Sequence, residues 1–266
     1  MGQKIYIIGN WKMNKTYAEV CTFFRAFDSD WPFNSMQLPN IEVLIAPSTI
    51  HLSNINSLLP NLEQSSFNGL VAQNVASQEN GAFTGENSAS MLVDYVRHVI
   101  IGHSERRKYF SENNEILLEK LLICHKYKLT PIFCFGETAE QRSQGEYLSI
   151  IKDQLNQTLM LMDSHQISKT ILAYEPIWAI GTGQNADSMQ IQEVYDYVRS
   201  LIVQQIGQKD AIDVPILYGG SCTSENTQSI LSNLNVNGLL IGGSSLDSSQ
   251  FLKIIQQADE LSRDSF

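Results

Sequence analysis

A carboxylate, Glu175, lies between an apolar run and an apolar segment that is bounded by residues with unusual backbone preferences. The run at 171–174 predicts a strand that carries this carboxylate at its end. The segment 176–183 begins with a proline, which restricts the backbone, and ends with glycines, which permit dihedral angles closed to other residues. Hinges around an apolar segment are typical of a lid over a reactive group. A strand-end glutamate that caps a turn would give the same local pattern, so other residues must decide.

Asn10 and Lys12 follow a second apolar run, and His103 follows a third. Asn10 and Lys12 are two apart in a predicted strand, so they point to one side, where Lys12 would be a fixed cation for an anion or for developing charge. His103 precedes Ser104, a candidate N-cap, and a helix N-terminus disfavours an imidazolium, so we expect a neutral imidazole that donates a hydrogen bond. Singly, the lysine could be solvated and the histidine structural. Together with Glu175 they are the groups that move a proton beside a carbonyl.

Two Gly-Gly-Ser turns, at 219–221 and 242–244, follow the last two apolar runs of the chain. Glycine lets backbone N–H groups approach anionic oxygens, and a following helix start adds a favourable dipole. One such turn alone could be only a tight connection. Two of them after the last two predicted strands predict a phosphate site, with Ser221, Gly242 and Gly243 as candidate binding residues.

Eight short apolar runs, each followed by a helical pattern, must position these groups. The predicted strands cover 6–9, 41–46, 69–72, 98–102, 130–135, 169–174, 214–218 and 238–241, and the helices include a long one at 138–162 and an apolar stripe at 191–202. Continuous apolar strands are typical of parallel sheets covered on both faces. The pattern therefore predicts an α/β fold, a single (β/α)8 barrel over 1–266, rather than a doubly wound sheet. The polar strand ends, Tyr218 among them, would gather on one face as an active site.

The composition narrows the possible partners. The chain has 28 acidic and 18 basic residues and a net charge of −10, which argues against nucleic acid and anionic membranes as partners. With no apolar run long enough to span a membrane, no signal-peptide pattern and four cysteines without a CxxC pair, we expect a cytoplasmic protein with reduced thiols. Because no cluster has metal-ligand spacing and no dinucleotide-binding glycine pattern occurs, we expect no metal and no cofactor.

These residues stand in motifs that resemble the triosephosphate isomerase family nearly from end to end. The matching segments are Gly-Asn-Trp-Lys-Met-Asn at 9–14, Ala-Gln-Asn at 72–74, Gly-Ala-Phe-Thr-Gly-Glu at 81–86, Ile-Gly-His-Ser-Glu-Arg-Arg at 101–107, Cys134 with Gly-Glu at 136–137, Ala-Tyr-Glu-Pro-Ile-Trp-Ala-Ile-Gly-Thr-Gly at 173–183, Tyr-Gly-Gly-Ser at 218–221 and Gly-Gly-Ser-Ser-Leu at 242–246.

The resemblance implies a metal-free interconversion of dihydroxyacetone phosphate and D-glyceraldehyde 3-phosphate, used in glycolysis and gluconeogenesis. It implies that Glu175 is the base, that neutral His103 polarises the carbonyl and shuttles protons between the oxygens, and that Lys12 and Asn10 stabilise the enediolate. This pairing of carboxylate and neutral imidazole is a known arrangement of that family. Glu105 matches the family residue that pairs with the active-site lysine.

The same resemblance implies how the substrate is held and covered. The phosphate would be bound by N–H groups of four residues, Gly181, Ser221, Gly242 and Gly243. The segment 176–183 would close over it, with Tyr218 helping to hold the closed state, and closure would exclude water from the enediolate.

The family is usually a homodimer in which the loop 73–86 inserts into the partner subunit near its active site. Three residues depart from its common pattern: Glu79, where some relatives carry Thr or an apolar residue, Phe135, where Ile is common, and Cys222 after the Tyr-Gly-Gly-Ser turn. The last two do not touch a proposed catalytic role.

Two other functions fit a phosphate-binding barrel. A sugar-phosphate epimerase would use a different set of strand-end residues, often with metal ligands, and its activity would be sensitive to chelators. A non-catalytic barrel that only binds phosphate should show damage at Lys12, His103 or Glu175, and all three residues are intact.

Overall fold

Eight parallel strands form a closed barrel in chain order. The computed structural model describes residues 4–32, 38, 40–59, 67–180 and 186–264. The strands are β1 (Ile5–Asn10), β2 (Ile41–Ala46), β3 (Gly69–Ala72), β4 (His98–Ile101), β5 (Thr130–Phe135), β6 (Ile171–Tyr174), β7 (Ile216–Tyr218) and β8 (Gly238–Ile241). Each strand pairs with the next, and β8 pairs with β1. The predicted (β/α)8 fold is confirmed.

The strands begin and end where backbone chemistry requires. β4 ends one residue earlier than predicted, because Gly102 adopts a left-handed conformation (φ 72°) that ends the extended chain. β7 begins after Pro215, which has no N–H to donate to a neighbouring strand. All eight strands therefore deliver their last residues to the same end of the barrel.

Within the described residues, twelve α-helices pack around the barrel. They are α1 (Tyr17–Ser29), α2 (Leu52–Leu58), α3 (Ala89–Leu92), α4 (Ser104–Tyr109), α5 (Asn114–Lys126), α6 (Ala139–Ser143), α7 (Tyr147–Asn156), α8 (Ser164–Ser168), α9 (Ser188–Ile206), α10 (Gln208–Ala211), α11 (Thr227–Leu231) and α12 (Ser248–Asp264). The predicted apolar stripe of α9 is buried in full, so the 3.6-residue period located this helix correctly. None of the described helices combines the length and apolar character that crossing a membrane requires.

The predicted long helix at 138–162 is wrong. The segment forms α6, then α7, then a short 3₁₀ turn at Leu159–Leu161. Gly145 adopts φ 75° between α6 and α7, a conformation that ends a right-handed helix. The sequence reading also missed α8, which begins at a reciprocal cap between Asp163 and Gln166 and is too short to show a hydrophobic period.

Two layers of buried apolar side chains hold the scaffold. One fills the inside of the barrel and includes Ile8, Val71, Ile100, Ile132 and Leu240. The other lies between the strands and the helices. Since each fully buried side chain of this size contributes about 1.5–3 kcal/mol, the barrel is rigid enough to fix the loops at its carboxyl end.

Gly238, the first residue of β8, tests how closely the barrel is closed. It adopts φ 147°, and a Cβ atom there would lie 2.0 Å from the carbonyl oxygen of Tyr6 on β1. We expect Gly238→Ala to lower the free energy of unfolding by clearly more than the roughly 1–2 kcal/mol that left-handed backbone costs a non-glycine residue. The matched control is Gly207→Ala, which has φ 84° but no atom within 4 Å of the added Cβ. Equal losses for both variants in chemical denaturation would contradict the prediction.

Candidate active site

The carboxyl ends of the strands surround a cavity of about 200 Å³. It brings together seven of the predicted site residues: Asn10, Lys12, His103, Glu175, Ser221, Gly242 and Gly243. The eighth substrate-binding or catalytic candidate, Gly181, lies outside the described residues. A wider cavity of about 550 Å³ shares Asn10, Lys12 and His103 and extends toward Glu105 and the loop 73–86.

Glu175, the residue after β6, is buried with its carboxylate against the start of α4. Its Oε2 accepts a hydrogen bond from the Ser104 backbone N–H at 2.8 Å, and its Oε1 lies 3.1 Å from His103 Nε2. Its own N–H donates to the carbonyl of Phe135 at 2.7 Å. A Cβ atom at Gly136 would lie 1.8 Å from the Glu175 carbonyl oxygen, so this glycine is required for the approach. The result is a carboxylate that is held but only lightly hydrogen-bonded.

His103 is the N-cap of α4, and its hydrogen bonds assign its tautomer. Its Nδ1 accepts from the Glu105 backbone N–H at 3.3 Å. A nitrogen that accepts a hydrogen bond carries no proton, so the ring is neutral and its proton lies on Nε2. That nitrogen faces Glu175 and the cavity, where it can donate to an oxygen of a ligand.

Lys12 adopts a left-handed backbone conformation, with φ 53°. Three side chains hold it there: Asn10 Oδ1 accepts from its N–H at 3.0 Å, while Gln73 Nε2 and Ser48 Oγ donate to its carbonyl at 2.8 and 3.2 Å. Its Nζ lies 2.7 Å from Glu105 Oε1. Since this conformation costs a non-glycine residue about 1–2 kcal/mol, these bonds fix the position from which the ammonium reaches the cavity.

The sequence reading missed part of this arrangement. Gln73 was only one of several polar strand-end residues, and Ser48 was not identified. Gln73 Nε2 also donates to the carbonyl of Ala46 at 2.8 Å, so one amide group ties β1, β2 and β3 together. Nothing in the local sequence of Ser48 indicates that its hydroxyl reaches the carbonyl of Lys12.

The two Gly-Gly-Ser turns lie side by side opposite Glu175. Ser244 Oγ donates to the carbonyl of Cys222 at 2.7 Å, which joins the turns. Gly243 begins a 3₁₀ turn, and a Cβ atom there would meet nothing within 4 Å, so its backbone N–H is open to a ligand. A Cβ atom at Gly242 would lie 3.6 Å from Lys12 Cε, which puts the lysine stem beside the same turn.

Glu137 anchors the start of the segment 176–183. Its buried Oε1 accepts hydrogen bonds from Trp178 Nε1 at 2.8 Å and from the Tyr174 hydroxyl at 3.1 Å, and it lies 2.9 Å from Arg142 Nη1. The structure thus ties the apolar segment to a buried carboxylate. The sequence reading placed Glu137 in a matching motif but assigned it no role. The glycine hinge at 181–183 lies outside the described residues.

Tyr218, at the end of β7, is fully buried, and its hydroxyl faces the backbone of Ala186 beyond the lid segment. Burial raises the pKa of Tyr218 to about 12, so the hydroxyl keeps its proton at neutral pH. A Cβ atom at Gly220 would lie 2.3 Å from this hydroxyl oxygen, so the second glycine of the turn makes room for it.

The two cysteines near the site remain thiols. Burial raises the pKa of Cys222 to about 12 and that of Cys134 well above its ordinary value. A thiolate nucleophile is therefore excluded at neutral pH. In the described part of the chain, no three His, Cys, Asp or Glu side chains lie close enough together to hold a metal ion.

Gln73 provides a test of how the Lys12 backbone is held. Gln73→Glu removes the donor that serves the carbonyls of Lys12 and Ala46 and brings a carboxylate against both oxygens. We expect the free energy of unfolding to fall by at least about 2 kcal/mol, and Tm by at least about 4 °C. Calorimetry would compare it with Gln144→Glu, the same change at an exposed helix end. A melting temperature equal to that of the control would contradict the assigned role.

The sequence model of the family described as Triosephosphate isomerase matches residues 5–258. Three relatives with that name illustrate the similarity. The chain is 40% identical to the protein of Porphyromonas gingivalis over 255 residues, covering 96% of this chain and 99% of that protein. It is 42% identical to the protein of Mycoplasmopsis pulmonis over 255 residues, covering 95% and 97%. It is 39% identical to the protein of Bacteroides fragilis over 254 residues, covering 95% and 98%.

Proposed function

The chain belongs to the triosephosphate isomerase family and is an isomerase of carbohydrate metabolism, and from this premise we propose that it interconverts dihydroxyacetone phosphate and D-glyceraldehyde 3-phosphate without a metal or cofactor. The observation that carries the proposal is the 3.1 Å contact between Glu175 and the protonated nitrogen of His103, beside the paired Gly-Gly-Ser turns. It is the arrangement needed to move a proton between two adjacent carbons of a phosphorylated substrate.

Glu175 is the proposed base. It removes a proton from carbon 1 of dihydroxyacetone phosphate, the electron pair of the C–H bond moves toward the carbonyl, and an enediolate forms. The proton then returns at carbon 2. In the described structure the carboxylate accepts a hydrogen bond from the Ser104 N–H, so it must exchange this bond for the substrate proton. Its near-complete burial (2% exposed) favours the step, because little water competes for the carboxylate.

His103, Lys12 and Asn10 are the proposed stabilisers of the enediolate. The Nε2–H of neutral His103 donates to the carbonyl oxygen and shuttles a proton between the two oxygens. The ammonium of Lys12 compensates negative charge as it develops, and Glu105, 2.7 Å away, orients it. These groups are fixed before the substrate arrives, so the reaction does not require them to reorganise.

The phosphate is held, in this proposal, by the N–H groups of Ser221, Gly242, Gly243 and Gly181. The segment 176–183 closes over the bound substrate, and Tyr218 helps to hold it closed. Closure excludes water and prevents loss of phosphate from the enediolate. The anchoring of Trp178 on Glu137 supports a lid with one fixed end.

The proposal predicts fast isomerase activity that depends on Glu175. A coupled assay on D-glyceraldehyde 3-phosphate with EDTA present would compare the wild type with Glu175→Gln. We expect kcat of the variant to fall by at least about 10²–10⁴, because a neutral amide cannot accept the proton. The control, Glu119→Gln, makes the same change at an exposed position on α5 and should keep full activity.

The outcomes of this assay separate the parts of the proposal. Negligible wild-type turnover in folded protein would contradict the assigned reaction. Turnover lost on adding EDTA would point to a metal-dependent enzyme, and activity that survives Glu175→Gln would mean that another residue is the base.

We also infer a cytoplasmic homodimer, in which the loop 73–86 of one subunit fills the wider cavity of the other. Three exposed apolar or aromatic side chains line that cavity beside the catalytic groups: Met13, Tyr109 and Phe110. Met13 is 93% exposed in the single chain, which is unusual for an apolar side chain next to an active site. A partner loop carrying Phe83 would cover this surface and complete one wall of the site.

Light scattering after size-exclusion chromatography tests the dimer. We expect a mass of twice the 29.9 kDa of the chain. Phe83→Asp should shift the equilibrium toward monomer and lower the activity, since it places a charge at the tip of the inserted loop. Met189→Asp, on an equally exposed apolar residue of α9, should leave the dimer unchanged. A stable and fully active wild-type monomer would contradict this proposal.

A further inference from the structure

A second cavity lies at the opposite end of the barrel from the catalytic groups. Its volume is about 530 Å³, and it lies between the end of α5 and the start of α8, next to the first residues of β5 and β6. It is lined by Leu122, His125, Lys126, Lys128, Leu129, Thr130, Asp163, His165, Gln166 and Lys169. Small-molecule sites commonly occupy about 300–1,000 Å³, so the cavity is large enough for an organic ligand.

Positive charge is concentrated on this cavity. Three lysines line it against a single carboxylate, Asp163, in a chain whose net charge is −10. Lys126 pairs with Glu79. Within the described ranges, no carboxylate lies within 4.0 Å of the ammonium of Lys128 or Lys169, and both side chains are exposed. Two ammonium groups without a carboxylate partner therefore face one concave surface.

The backbone of Lys128 is strained at this place. It adopts φ 58° just after α5, a position that glycine or asparagine normally occupies. The conformation costs a lysine about 1–2 kcal/mol. Its N–H donates to the carbonyl of His125 at 3.1 Å, which fixes the turn and brings the lysine to the cavity rim. Strain of this kind concentrates at binding sites, where the surrounding structure maintains it.

The rest of the wall is apolar or uncharged. Thr170 Oγ1 donates to the Gln166 carbonyl at 2.9 Å, so it accepts from His125 Nε2 at 3.1 Å. Burial lowers the pKa of His125 to about 4, so its ring is neutral at physiological pH and contributes a flat surface. Leu122 and Leu129 extend this surface. The cavity thus has a cationic part and an apolar part.

We propose that this cavity binds an organic polyphosphate of nucleotide size, with the phosphate groups between Lys128 and Lys169 and the organic body against His125, Leu122 and Leu129. A multiply charged phosphate matches several lysines better than a single carboxylate does, because each ammonium can bind its own oxygen. The site lies on the other face from Glu175, so its ligand is distinct from the triose phosphate substrate, and the inference does not depend on the proposed reaction.

Isothermal titration calorimetry at low salt with ADP as the probe tests this site. We expect Lys128→Gln/Lys169→Gln to weaken ADP binding at least about tenfold through loss of two charge-assisted contacts, while kcat/KM of the isomerase stays unchanged. The control, Lys152→Gln/Lys253→Gln, makes the same change in net charge on exposed residues outside the cavity and should bind ADP like the wild type.

Two further arms decide between explanations. Lys12→Gln should leave ADP binding intact; loss of binding in that variant alone would place ADP in the catalytic cavity and overturn the proposal. Inorganic pyrophosphate should bind more weakly than ADP, and equal affinity would refute the role of the apolar wall. Absence of ADP binding to the wild type at millimolar concentration, or equal weakening in both double-lysine variants, would also overturn the site.

Discussion

The contact between Glu175 Oε1 and His103 Nε2, 3.1 Å long, depends on the register of three strands. The two residues follow β6 and β4, which are not neighbours, and β5 lies between them. The pairing of Phe133 with Ile101 and of Phe135 with Tyr174 fixes how far each strand projects from the barrel. A shift of one residue in β5 would turn alternate side chains to the other face and separate the pair.

The same constraint explains the glycine after β5. Because Gly136 has no Cβ atom, the backbone of Glu175 can pass at a distance that any other residue would block. The carboxylate then reaches the N–H of Ser104 at the start of α4. The first turn of α4 therefore has two functions: its N–H groups hold Glu175 and set the tautomer of His103. One short helix coordinates both members of the pair.

Much of the fold could be predicted from the sequence, because each barrel strand is buried on both faces and reads as a short apolar run. The catalytic candidates were also visible, since polar residues follow those runs directly. The break at Gly145 was not visible, because the apolar spacing of 138–162 continues across it. Nor were the bonds from Gln73 and Ser48 to the carbonyl of Lys12, because they join residues that are distant in sequence and the local pattern of neither encodes the contact. The cationic cavity escaped notice for the same reason: Lys128 and Lys169 are exposed charges without any period.

Both ends of the barrel now present positive groups on a chain with a net charge of −10. At physiological ionic strength charges are screened over about 8 Å, so an anion inside a cavity responds to its immediate lining rather than to the distant acidic surface. Lys12 is held by strained backbone at one end, and Lys128 by strained backbone at the other. In each case the chain fixes the start of a long flexible side chain, which reduces the entropy lost when the ammonium binds an anion. The acidic surface repels anions from the rest of the molecule, so these two cavities are where an anion gains most by leaving water.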